Sequence, residues 1–222
     1  MLISVQNRLS NISRIDVQHN PLIDQMFRAR KEIFERQLGW VASSDTDYEI
    51  DEFDCNYPIY LMSVDQDTGE HLASLRLLPT TGKNMLNSAF KSMFNGDVDI
   101  SSPTIMECTR FCAHCNEDKT DGVSRQVSRG ISELIVGLHK LSVDYGFTQI
   151  SGVFSSTMKR FYRRTGWEPE VLASVNDEKC GKVYAGLWDV NESDESLIRN
   201  KLNFFGEANM YFEDFKAVKI AA

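Results

Sequence analysis

The sequence is short of most features that would take it out of the ordinary globular class. Only five of its 222 residues are proline and thirteen are glycine, and no stretch rich in Pro, Gly and Ser marks a linker. Cysteine is scarce and odd in number, five in all. The thiols therefore do not form a paired disulfide framework, which implies a reducing compartment. Positive charge is also short: 24 Lys and Arg against 32 Asp and Glu leave a formal net charge of −8. That balance argues against a general nucleic-acid binder, which needs a net positive surface. No apolar run approaches the ~18 residues of a membrane-spanning helix. Residues 1–8 lack the basic and apolar regions of a signal peptide. The expected compartment is the cytoplasm, with no membrane span and no nucleic-acid partner.

What is present is a 42% hydrophobic, 25% charged chain, the composition of a soluble globular protein. Its length suits one domain whose core needs neither metal nor disulfide. Periodicity predicts a helix over 21–39, with Ile23, Phe27, Arg30, Phe34 and Leu38 on one face and Gly39 as its stop. Residues 41–54 read as an acidic loop. Strands are expected at 57–64 and 71–78, joined by the hairpin-type stretch 65–69, and again at 104–112. A strongly amphipathic helix follows over 124–144, its stripe made by Val127, Ile131, Leu134, Ile135, Leu138 and Leu141, with Gly146 at the C-cap position. A strand at 147–154, a short basic helix at 155–165 ended by Gly166, and a strand at 182–190 complete the pattern. The last thirty residues suggest only a helix near 194–202. This order implies an α/β protein, a three-layer α-β-α sandwich around a central mixed sheet.

The informative residues are those that break their local pattern. Arg30 lies on the apolar helix face between Phe27 and Phe34, so its guanidinium either snorkels to solvent or is paired in a cavity. Arg76 interrupts an apolar strand, on a wet face or inside a site. Six acids crowd 45–54, downstream of Phe34 and Trp40. This is either a solvated loop or a pocket where aromatic faces and carboxylates meet a sulfonium or ammonium ion. An EF-hand is excluded by Ile50 at the position that needs glycine. Glu107 and Arg110 fall on opposite faces of a regular strand unless a bulge brings them together.

Cys108, Cys112, His114 and Cys115 resemble a zinc cluster, but their spacing lacks the loop-borne pairs of structural sites. Buried thiols are the better reading, and no metal is expected. Arg125, Ser128 and Gly130 open the long helix and could form an anion-binding turn. Lys159, Arg160, Arg163 and Arg164 concentrate positive charge on one short helix of an acidic chain, which suits an acidic partner.

Taken in order, Arg30-x3-Phe34-x5-Trp40, Glu49-Ile50-Asp51-Glu52-Phe53-Asp54, Arg76-Leu77-Leu78-Pro79 and Glu107-x2-Arg110-Phe111 resemble the acyl-homoserine-lactone synthases, the autoinducer synthases of bacterial quorum sensing. The likeness covers roughly residues 20–170. It implies a GNAT-like N-acyltransferase fold and two substrates, S-adenosylmethionine and an acyl thioester on acyl carrier protein or coenzyme A. No separate cofactor is implied. The division expected within a single domain is an S-adenosylmethionine-binding helix and lid at about 20–54, an acyltransferase core at about 55–190 and an extension at about 191–222.

The resemblance further implies that Arg30, Phe34, Trp40, Asp51, Asp54, Arg76 and Phe111 surround S-adenosylmethionine, with Phe34 and Trp40 walling its sulfonium. Glu107, Arg110 and Asp51 are the implied catalytic residues. Glu107 would take the amine proton through a water, and backbone N–H groups at 110–112 would hold the oxyanion. Phe154, Ser155 and Met158 are expected along the acyl chain, with Phe111, Phe147 and Phe161 as further candidates. Arg125, Ser128, Gly130, Arg160 and Arg164 are expected to meet the carrier or its phosphopantetheine. Ser128 replaces the first glycine of the usual pyrophosphate turn, which favours a carrier protein over coenzyme A. The competing readings are a GNAT acyltransferase with another amine acceptor and a non-enzymatic binding module.

Overall fold

A computed structural model describes residues 1–6, 20–95, 98–113, 123–178, 180–204 and 216–219, with no side chains described at 5–6, 123–128, 203–204 and 216–219. The elements are β1 (Leu2–Gln6), α1 (Pro21–Arg30), β2 (Ile59–Val64), β3 (His71–Pro79), β4 (Ile105–Ala113), α2 (Val123–Asp144), β5 (Gln149–Ser155), α3 (Ser156–Thr165), β6 (Glu170–Asp177), β7 (Gly181–Asp189), α4 (Asp194–Phe204) and β8 (Lys216–Lys219). They divide into two compact units. One holds residues 1–76, 110–135 and 210–222, and the other holds 77–109 and 136–209. β3, β4 and α2 each run from one unit into the other, so the units do not follow the segment boundaries expected from the sequence.

In the first unit, β1 pairs antiparallel with β2 and parallel with β8. Every residue of β2 is buried, which is the signature of a strand covered on both faces. Its alternation sorts the two covers. Tyr60, Met62 and Val64 pack with Ile23, Met26 and Phe27 of α1, while the hydroxyl of Ser63 donates to Glu133 of α2. Helix, sheet and helix thus form three layers here.

In the second unit, β4 and β5 are parallel, joined through α2 as parallel neighbours require. β5, β7 and β6 follow antiparallel. Each unit therefore carries a mixed sheet, the α/β class the sequence implied. Leu86, Phe94, Val98, Val183 and Ala185 form one core cluster of this unit.

α1 begins where local chemistry dictates. The Asn20 side chain accepts from the amides of Leu22 and Ile23 at 3.1 and 3.3 Å, and Pro21 occupies the first turn, where its missing N–H costs nothing. After Arg30 the helix widens into a π-type winding over Lys31–Gln37, ended by Gly39 at φ +62°. The predicted 21–39 helix is thus one continuous rod of two windings. The wider turn carries Leu38 off the buried face, leaving it 42% exposed.

Three further differences have physical causes. Residues 41–54 are not all loop, because Glu52–Cys55 form a 3-10 turn. β1, β6 and β8 carry no strong sequence signal. The first and last are short, and β6 is exposed at most positions. Residues 125–130 lie inside α2 rather than in a turn preceding it, so Gly130 does not sit at an anion-binding helix end. A Cβ there would stand 2.9 Å from that of Ala73 and 3.3 Å from that of Leu72. Gly130 instead lets α2 approach β3. Gly130→Ala should therefore overpack this seam at a cost of about 1–3 kcal/mol. Thermal unfolding should show a melting temperature lower by about 2–4 °C per kcal/mol. An unchanged melting temperature would contradict the close-packing role.

Candidate active site

Six charged side chains of the first unit close on one another. Arg30, buried on α1, gives a two-pronged contact to Asp54, Nη1 to Oδ1 at 2.9 Å and Nη2 to Oδ2 at 3.0 Å, while its Nε donates to Glu49 at 2.7 Å. Arg76 of β3 donates to Asp54 Oδ1 at 2.7 Å and bridges both Asp51 oxygens at 2.5 and 3.0 Å. Arg110 of β4 reaches Glu49 and Asp51, each at 2.8 Å. Three guanidinium groups thus face three carboxylates, and the formal charges cancel. Tyr60 adds an O–H donated to Asp54 at 2.8 Å.

Local structure explains why these groups meet. Asp51 caps the 3-10 turn by accepting from the Phe53 amide, and Asp54 reaches back to accept from the Asp51 amide at 2.8 Å. This reciprocal cap fixes both carboxylates before they meet any arginine. Each arginine also lies against an aromatic ring, Arg30 on Phe27 at 4.9 Å, Arg76 on Phe53 at 5.7 Å and Arg110 on Phe34 at 5.2 Å. Arg110 has φ +51°, a left-handed backbone that a non-glycine residue adopts only at a cost. That backbone interrupts the regular strand geometry of β4 at Arg110.

Burial grades the network from inside to rim. The side chains of Arg30, Arg76 and Asp54 are 0–1% exposed, whereas Arg110 is 11% and Asp51 19% exposed. Asp51 and Arg110 therefore form the more exposed rim of the network. Beside them Trp40, 45% exposed, lies 6.0 Å from the buried Phe34 ring. The segment before Asp51 is strapped to the helix. Lys31 donates to the backbone and hydroxyl oxygens of Ser44 and pairs with Glu35 at 2.8 Å, and Tyr48 donates to Asp24 at 2.7 Å. Phe111 is half-buried in β4.

Burial alone would push the Asp54 carboxyl up, but Arg30 and Arg76 outweigh it and hold the group well below the ordinary carboxylate range. Glu49 behaves alike, burial opposed and overcome by Arg30 and Arg110. Burial and then Asp54 keep the Tyr60 phenol protonated far above its usual range.

Glu107 belongs to the second unit. Its carboxylate is fully buried and accepts from the amides of Met85 and Leu86 at 2.7 and 2.9 Å. The same unit holds the expected acyl-chain and carrier residues. Phe154 is buried with its ring 5.5 Å from Tyr162, 5.7 Å from Tyr184 and 5.2 Å from Trp188. Ser155 caps α3 by accepting from the Met158 amide at 3.4 Å, and Met158 and Phe161 are half-buried. Phe147 stacks on Tyr145 at 5.8 Å.

Arg160 and Arg164 are exposed. Arg160 lines a hollow of about 280 Å³ with Ser156, Lys159, Arg163, Glu168 and Tyr184. Lys159 and one further cation, Lys182, stand over the Tyr184 ring at 4.5 and 5.6 Å. The side chains of Arg125 and Ser128 lie outside the described residues, as do His114 and Cys115. Cys108 and Cys112 lie in β4, and Cys112 is buried against the Ser74 hydroxyl at 3.4 Å. Among the described residues no group of three or more His, Cys, Asp or Glu is placed to hold a metal. Nor is any described helix long and apolar enough to cross a membrane.

Glu49 is the member of the network that pattern reading passed over. Its signal was its place in the acidic run, two residues before Asp51.

The autoinducer synthase family model matches residues 14–198 of the chain. An acyl-homoserine-lactone synthase of Rhizobium etli is 41% identical over 181 residues, covering 81% of this chain and 82% of that one. One from Pectobacterium carotovorum is 26% identical, covering 86% and 88%. Among solved structures, BjaI, a CoA-dependent acyl-homoserine lactone synthase with SAM and isopentyl-CoA, superposes with a TM-score of 0.73 at 17% identity over 100% of this chain and 95% of its own. LasI does so at 0.71 and 22% identity, covering 90% and 95%. These neighbours establish a shared GNAT-like fold. The chain belongs to the autoinducer synthase family. It is an acyltransferase of the acyl-homoserine-lactone synthase kind.

Asp54→Asn would leave Arg30 and Arg76 facing a neutral amide, at a cost of about 3–5 kcal/mol. Asp54 and Glu49 titrate lower folded than unfolded. Their stabilisation is therefore complete above the unfolded carboxylate pKa of about 4 and is lost as pH falls through the folded values. Unfolding free energy should fall with acidification below that point, and less steeply in the asparagine variant. Equal pH slopes for the two proteins would contradict the network's role.

Proposed function

We propose that the protein transfers an acyl group from a thioester to the amine of S-adenosylmethionine and then closes the lactone, releasing methylthioadenosine. The observation that carries this reading is the charge-balanced Arg30–Glu49–Asp51–Asp54–Arg76–Arg110 network with Phe34 and Trp40 beside its rim. S-adenosylmethionine carries a sulfonium, an ammonium and a carboxylate. Aromatic faces and Asp51 suit the two cations, and a guanidinium suits the carboxylate. Holding these charges in place folds the methionyl chain so that its carboxylate can attack its own γ-carbon, a proximity effect. In this reading S-adenosylmethionine is a substrate and no cofactor takes part.

The amine must lose its proton before attacking the thioester. Glu107 is assigned as base through a water. Its contacts to the amides of Met85 and Leu86 orient the carboxylate. The N–H groups of 110–112, at the left-handed kink, hold the oxyanion. Phe154, Ser155 and Met158 border the acyl chain.

The donor is assigned as acyl-acyl carrier protein in the cytoplasm, docked through Arg160 and Arg164 beside the basic hollow on α3. The position of Gly130 inside α2 supports this choice over coenzyme A, because the turn that would cradle a pyrophosphate is not formed around it.

Incubation of the protein with S-adenosylmethionine and a panel of acyl-carrier-protein and acyl-CoA donors should give methylthioadenosine and N-acyl-homoserine lactone in equal amounts by mass spectrometry. Thioester cleavage without methylthioadenosine would point instead to another acceptor. Glu107→Gln should lower kcat by about 10²- to 10⁴-fold with little change in KM for S-adenosylmethionine. A loss of stability with kcat intact would make Glu107 only an anchor for residues 84–88.

A further inference from the structure

Residues 42–47, Ala-Ser-Ser-Asp-Thr-Asp, form neither helix nor strand and are all exposed. They carry no large apolar side chain, so polar contacts rather than apolar burial must hold them in place. Those contacts pin the segment back along the helix it has just left. At its start the Trp40 amide donates to the Phe34 carbonyl at 2.8 Å, and at its end the Glu49 amide donates to the Phe27 carbonyl at 3.2 Å. Between these points Ser43 and Ser44 meet Glu35 and Lys31, and Asp47 and Tyr48 meet Arg28 and Asp24. The strap thus joins Trp40 at the aromatic rim to Glu49 and Asp51 of the charged network.

The pins are unequal. Arg28 and Asp47 pair at 3.3 Å, but their side chains are 48% and 71% exposed, and exposed pairs of this kind add little. The side chains of Lys31 and Glu35 are only 5% and 10% exposed. The Lys31 ammonium directs all three of its donors to this pin: the Ser44 carbonyl at 2.6 Å, the Ser44 hydroxyl at 2.9 Å and Glu35 at 2.8 Å. Glu35 in turn accepts from the Ser43 hydroxyl at 3.1 Å. Lysine is rarely buried, and here its charge holds down an exposed strap rather than a core element. The preceding residue, Arg30, grips Glu49 at the far end of the same strap.

Resting on the acyl-transfer reading, we propose that Lys31 is a positioning residue for S-adenosylmethionine. Through Ser44 and Glu35 it holds residues 43–49 against the helix, and so keeps Trp40 and the Glu49 and Asp51 carboxylates in the arrangement that receives the ligand. Lys31 acts through the strap and not on the substrate. A strap released for part of the time lowers the apparent affinity by the fraction of protein left in the competent arrangement. The loss falls on S-adenosylmethionine alone. Saturating ligand draws the strap back, so kcat holds, and the acyl donor is assigned to residues of the other unit.

The test uses the full chain and two variants. Lys31→Met keeps the apolar stem and removes the ammonium, and Lys31→Met combined with Glu35→Gln leaves no unpaired carboxylate behind. Calorimetric titration of S-adenosylmethionine should show binding weaker by about 10-fold or more in both. Methylthioadenosine release should show KM for S-adenosylmethionine raised to match, with kcat and KM for the acyl donor within about 2-fold of the wild type. Ser44→Ala, at an exposed position, removes one of the three contacts without stranding a charge. It should weaken binding in the same direction by less, and by less still when added to Lys31→Met. Unchanged affinity in every variant overturns the proposal. So does a lower melting temperature and kcat with S-adenosylmethionine affinity intact, since that is a structural role only. Either result leaves acyl transfer to S-adenosylmethionine standing. A wild-type protein that neither binds S-adenosylmethionine nor releases methylthioadenosine overturns the acyl-transfer reading itself, and this proposal with it.

Discussion

The first unit depends on the requirement that three arginines and three carboxylates, most of them removed from water, neutralise one another. Each ion taken singly would be too costly to bury, and the pairing recovers that cost only when the geometry is close to ideal. The structure meets the condition by fixing the partners beforehand. Asp51 and Asp54 are set by their reciprocal cap, and each guanidinium rests on an aromatic face. Such a network adds little stability over an apolar core, but it holds charge at defined positions. That is what a ligand with two cationic centres and a carboxylate requires, since electrostatic catalysis rests on dipoles and charges already in place.

The second unit shows a comparable division of labour on one short helix. The outward face of α3 carries Lys159, Arg160, Arg163 and Arg164, while Tyr162 and Thr165 are buried beneath. A helix this basic on a chain of net charge −8 concentrates positive potential where an acidic partner can be steered. The buried face of the same helix meets the aromatic cluster of Phe154, Tyr184 and Trp188. In the proposed reaction, one helix reads the carrier outside and the acyl chain inside.

Much of this was legible in the sequence because charges stand out against apolar periodicity. Arg30 between Phe27 and Phe34, and Arg76 inside a run of leucines, violate their patterns, and both prove to be buried and paired. Glu49 was not singled out, because among six acids in ten residues no spacing rule separates a buried partner from its solvated neighbours. Gly130 was misplaced because a glycine near a helix start looks alike whether it frees a backbone for an anion or a surface for a strand. The π-type winding after Arg30 has no periodicity of its own to betray it. β6 escaped because an exposed strand lacks the apolar alternation by which strands are recognised.

The claim that the network and its aromatic rim recognise a sulfonium is tested most directly by calorimetric titration of S-adenosylmethionine and S-adenosylhomocysteine into the same protein. The two ligands differ in the methyl group and positive charge at sulfur. The account predicts tighter binding of the sulfonium, by about 5- to 30-fold for a desolvated cation over aromatic faces, and a loss of most of that difference in Trp40→Ala. Equal affinity for the two ligands in the wild-type protein would contradict it.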